Sequence, residues 1–66
     1  MTDILTLTPN IDSPDDFYAE LIATHDGLSK DDSDALNARL VLVLANHIGN
    51  RDILSQALAA AALKQE

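Results

Sequence analysis

The longest stretch of apolar residues at helical spacing runs from Ala35 to Gly49, ALNARLVLVLANHIG. Turned at about 100° per residue, Leu36, Leu40, Val43, Leu44 and His47 fall on one face, with Val41 and Ile48 beside it. Asn37, Ala38 and Ala45 follow on the far side and Leu42 lies further round, so only Arg39 and Asn46 make a clearly polar stripe. A helix that is apolar around most of its circumference has to be covered around most of it. In so short a chain the two flanking segments cover two sides, and the pattern predicts a second copy or another protein on the third.

The neighbouring elements carry their own signals. Ser13 as N-cap, Pro14 at the first helical position and Asp15 and Asp16 in the first turn open a helix α1 over about 14–26. Its apolar face holds Phe17, Tyr18, Leu21, Ile22 and His25, and Gly27 with Leu28 supplies the stop. Ser29, with Asp32 three positions on, caps the central helix α2 over about 30–48, which Gly49 ends. Asn50 opens α3 over about 51–64, with Ile53, Leu54, Ala57, Leu58, Ala61 and Ala62 on one arc. The small side chains of ALAAAAL predict a tight hairpin of α3 on α2. Residues 1–12, MTDILTLTPNID, read as an extended arm before a single domain at 13–66; the arm either pairs with its copy in a dimer or, the favoured reading, lays Leu5, Leu7 and Ile11 over the helices. The expected fold is all-α, a three-helix arrangement or small helical bundle.

Composition narrows the partners. The chain has 66 residues, near the size at which a single core is only marginally sufficient, and one Phe, one Tyr and no Trp make that core aliphatic. There is no cysteine, which excludes disulfides and thiolate metal sites. Eleven acids against four bases give a net charge of -7, which opposes a nucleic-acid or anionic-membrane partner and suits a basic protein surface or simple solubility. No apolar run is long enough to span a bilayer, and no basic region precedes an apolar core at the start, so the expected location is cytoplasmic.

No catalytic constellation or cofactor motif emerges. His25 and His47 lie on apolar faces near helix C-termini, and two facing imidazoles with Asp26 form the alternative reading, a metal or small-molecule binder. Neither HxxxH nor HExxH spacing is present, so no metal ligand is assigned. Asp32-Ser33-Asp34 departs from the Asp-Ser-Leu of acyl carrier proteins, and α3 carries too few bases to read DNA. The candidate site is an interaction surface on α2 formed by Asn37, Arg39, Val41, Leu42, Asn46, His47 and Ile48. There Asn37 acts as a register-fixing amide, and Arg39 pairs with an acid at the start of α1 or α2. On this reading a substitution at Asn37 or Leu42 weakens self-association.

The segments FYAELIATHDGLS and LSKDDSDALNARLVLVLANHIGNRDIL, above all Leu36-Asn37-Ala38-Arg39-Leu40 and Ala45-Asn46-His47-Ile48-Gly49, resemble a family of very short bacterial proteins that form a domain of unknown function. The resemblance covers about residues 9–63 and offers no catalytic residues to carry over. Genes of that family often lie near those for aromatic-ring hydroxylases and extradiol dioxygenases. The resemblance therefore implies an accessory role in aromatic catabolism, with an oxygenase or hydroxylase as partner. Taken together, the expectation is a non-catalytic accessory protein, homodimeric through α2.

Overall fold

The structure is a computed structural model that describes residues 3–63. Three helices, α1 (Pro14–His25), α2 (Lys30–Ile48) and α3 (Arg51–Ala61), follow in that order, with no strand among the described residues. The all-α reading holds, and α2 has the predicted bounds. α3 ends earlier than expected: Ala62 closes it with its N–H on the Leu58 carbonyl, because after the alanine run no capping glycine or packed side chain extends the last turn. Lys64, the expected last residue, and Met1 and Thr2 of the arm lie outside the described residues.

The caps show how the connections are built. Ser29 accepts from the Asp32 amide at 3.2 Å, and Asn50 accepts from the Ile53 amide at 3.0 Å. Between α1 and α2, Asp26 (φ -59, ψ 132) and Gly27 (φ 80) make a type II turn closed by Leu28 N–H donating to the His25 carbonyl at 3.1 Å. Gly49 (φ 72) takes the left-handed position between α2 and α3. Ser13 departs from expectation. Its backbone is left-handed (φ 48, ψ 62) and its hydroxyl makes no capping bond, although its carbonyl accepts from Phe17 at 3.0 Å. With the backbone left-handed rather than in the extended region usual for a capping residue, the hydroxyl is not placed over the first turn.

The arm is held by polar atoms. The Gln56 side chain accepts from the Leu5 amide at 3.0 Å and donates to the Asp3 carbonyl at 2.6 Å, so one primary amide pairs with the arm as a neighbouring strand would. Asn50 adds a hydrogen bond from its amide to the Asp3 carboxylate. Leu5 is half-buried beneath this clamp, whereas Leu7 and Ile11 stay exposed. The expected covering of the helices thus reduces to Leu5. Gln56→Leu keeps the bulk of the side chain and removes both bonds. Hydrogen exchange at the Leu5 amide is expected to accelerate by at least about tenfold, since a net contribution of about 1 kcal/mol per bond is lost twice; an unchanged rate would show that apolar contact holds the arm.

No described residue is buried. The accessible surface is 6113 Å², about 2,000 Å² more than the roughly 4,100 Å² of a compact monomer of this mass. The radius of gyration, 14.0 Å, likewise exceeds the about 11 Å of a compact chain. α2 packs on α3, α1 is tied to α2 near its end, and the arm lies on α3, so the elements join in succession rather than around a shared centre. α3 does turn back on α2 across the Gly49–Asn50 connection, as expected, but the three helices do not close around a shared core. Leu58 and Leu63, beside the alanines, remain exposed.

Candidate docking groove

The Gly49–Asn50 corner turns α3 back beside α2 and leaves a groove of ≈ 430 Å³ between them. Val41, Leu44, Ala45 and Ile48 form its α2 wall, and Leu54, Ala57, Leu58 and Ala61 form its α3 wall. Both sets follow the i, i+3, i+4, i+7 rule, so each wall is one stripe of one helix. Every lining side chain is aliphatic. Large residues still face solvent from both walls, Val41 being 60% and Leu58 69% exposed. A trough walled by two parallel apolar stripes is the geometry in which an amphipathic helix is received. A second hollow, ≈ 480 Å³, is lined by Thr6 to Ile11 and Pro14. It is a curl of one continuous segment and brings no distant groups together.

Of the residues expected from sequence, Val41 and Ile48 line this groove. Leu42 lies outside it, about 110° round α2 from the groove stripe and 70% exposed, with Arg39, Asn46 and His47 also exposed on that helix. Arg39 makes no ion pair with the first turns of α1 or α2. The one ion pair among the described residues joins Lys30 to Asp34 at 2.8 Å, fully on the surface, where such pairs contribute little. Leu44, Ala45, Leu54, Ala57, Leu58 and Ala61 were absent from the expected site. Their signal was the α3 arc itself, which marks an apolar stripe without telling whether a neighbour covers it.

Asn37 has a different place from the one expected of it. His25 Nδ1–H donates to the Leu21 carbonyl at 2.9 Å, and Nε2 lies 2.8 Å from Asn37 Oδ1. A proton is required on Nδ1 by its carbonyl partner. Nε2 then either donates to the Asn37 oxygen, in the imidazolium, or accepts from the Asn37 amide after a half-turn of that group. Asn37 does fix register, but between α1 and α2 of one chain. His25 thereby sits at Asn37, ten residues before His47 on the same helix, about 15 Å along its axis. That separation is far beyond the span of one metal ion, and among the described residues no group of three or more His, Cys, Asp or Glu side chains is arranged to hold one. Asn37→Leu is expected to cost about 1 kcal/mol and to shift the His25 ring resonances in an NMR spectrum; unaltered resonances would remove the pairing.

The fold and the groove define a class: a small all-α protein whose helices join in succession and leave an open apolar trough between α2 and α3, with no helix among the described residues long and apolar enough to cross a membrane. Within that class the chain belongs to the family described as protein of unknown function (DUF2783), whose model matches residues 5–63. No curated protein and no solved structure matches it.

Proposed function

We propose that this protein is a non-catalytic interaction module whose core is completed only when a helix of another chain enters the α2–α3 groove. The observation that carries this reading is the coexistence of an all-aliphatic groove with the lack of any buried residue among those described. About 2,000 Å² of surplus surface is far more than a folded monomer ordinarily leaves in contact with water, and it falls in the range that obligate interfaces cover. The net charge of -7 points the module toward protein rather than nucleic acid. Self-association uses the apolar side of α2, and the polar stripe of Arg39 and Asn46 with Leu42 between them is left outward for an accessory partner. The family resemblance makes an aromatic-ring hydroxylase or extradiol dioxygenase the partner of choice, in the cytoplasm.

The reading is tested by thermal melting at a dilution where sedimentation shows a monomer. A broad, non-cooperative loss of helix is expected, because three short helices without a shared core lack the packing that makes unfolding all-or-none. Adding a purified aromatic-ring hydroxylase or extradiol dioxygenase is expected to sharpen the transition. A steep melt of the dilute monomer, with a midpoint independent of concentration, would overturn the module.

A further inference from the structure

α1 carries an apolar arc wider than α2 covers. Leu21 and His25, in the middle of the arc, are half-buried toward α2, while Tyr18 and Ile22 on one shoulder stay 63% and 55% exposed. Asp15 precedes this shoulder and Asp26 follows it, at i-3 from Tyr18 and i+4 from Ile22, so the stripe is a short apolar ridge with an acid at each end. The groove has the opposite form. Its α3 wall begins at Leu54, and Arg51, one turn earlier on the same side, is an exposed cation at its end.

We infer that the groove's occupant is α1 of a second copy of this chain, exchanged reciprocally so that the Tyr18–Ile22 ridge of each protomer lies between Leu44 and Leu58 of its partner. The inference rests on the docking reading above and names the partner of the same groove. Three observations favour a copy over an unrelated helix. Each chain has one unfilled trough and one uncovered ridge, and a two-fold arrangement covers both in one self-complementary interface, whereas a foreign helix fills the trough and leaves Tyr18 and Ile22 wet. The dimensions agree: each groove wall runs over eight residues, about 10 Å from end to end, and the ridge from Tyr18 to Ile22 spans about 6 Å. The area suffices as well, since each protomer's surplus of about 2,000 Å² exceeds the roughly 800 Å² per partner that an interface of standard size covers.

The chain has no cysteine, so introduced thiols report the contact cleanly. Ile22→Cys protein mixed with Leu58→Cys protein is expected to form the mixed disulfide at least about tenfold faster than Leu42→Cys mixed with Leu58→Cys, with the unsubstituted chain sedimenting as a dimer. Equal rates for the two mixtures, or a preferred Leu42–Leu42 dimer, would overturn the reciprocal exchange. A monomer at every concentration overturns it too, and the melt then separates the two readings. A monomer without a cooperative transition leaves the docking module standing with a foreign helix as occupant, while a monomer that melts sharply overturns both.

Discussion

Leu58→Asp is expected to abolish assembly through the groove while leaving the free chain as helical as before. In the isolated protomer Leu58 is largely exposed, and a substitution at such a site changes stability by no more than about 0.5 kcal/mol, to which the lower helix propensity of Asp adds about as much. With the groove filled the situation reverses. The leucine then contributes about 1.5–3 kcal/mol of burial, and a carboxylate in its place has to be desolvated among aliphatic side chains, at a further cost of several kcal/mol. Sedimentation equilibrium should show a dissociation constant raised by about 1,000-fold or more, with the far-UV circular dichroism of the dilute protein unchanged. Leu42→Arg, outside the groove stripe of α2, should leave the constant where it was. If Leu42→Arg disrupts assembly and Leu58→Asp does not, the interface lies on the Arg39–Asn46 side and the groove has another use.

The second large effect is at Asn50, where one side chain performs two tasks. Its oxygen caps α3 through the Ile53 amide, and its amide group holds the Asp3 carboxylate of the arm. Loss of such a cap costs about 0.5–2 kcal/mol, and the bond to a charged group adds about 1.5 kcal/mol. A helix of eleven residues is marginal by itself, and no core among the described residues compensates for the loss. Asn50→Ala should therefore melt much of α3, seen as a fall in helical ellipticity and as faster exchange at the amides of Leu54 to Leu58. Asn50→Ser retains a capping oxygen but cannot reach Asp3, and should restore the helix without restoring protection of the Leu5 amide. Equal behaviour of the two variants would mean that the arm, rather than the cap, holds α3 in place.

The helices were legible because their signals are local. Ser29, Gly49 and Asn50 each act within four residues of themselves, through a hydroxyl, a left-handed backbone and a side-chain oxygen, and each appears where the chain places it. Ser13 departs from its local signal: a serine before a proline ordinarily takes the extended backbone that capping uses, but here the backbone is left-handed and the hydroxyl makes no capping bond. The role of Asn37 was half legible. A lone amide on an apolar helix implies a partner, but whether that partner belongs to the same chain or to another depends on where α1 comes to rest.

The sequence by itself determined the number and order of the helices and the bounds of α2, the aliphatic character of their faces, and the surplus of apolar surface on α2. Periodicity and capping are properties of consecutive residues, so they are complete in the chain. Only the tertiary structure decided which apolar stripes meet and which stay open: Leu36 and Leu40 half-buried, Val41 and Ile48 in the groove with Leu54 and Leu58, Leu42 facing away, and the arm fastened by Gln56. The reason is geometric. A 3.6-residue period tells which side chains share a face, but the turn at Gly27 and the corner at Gly49 set the directions in which the next helix leaves, and those directions select which faces are covered.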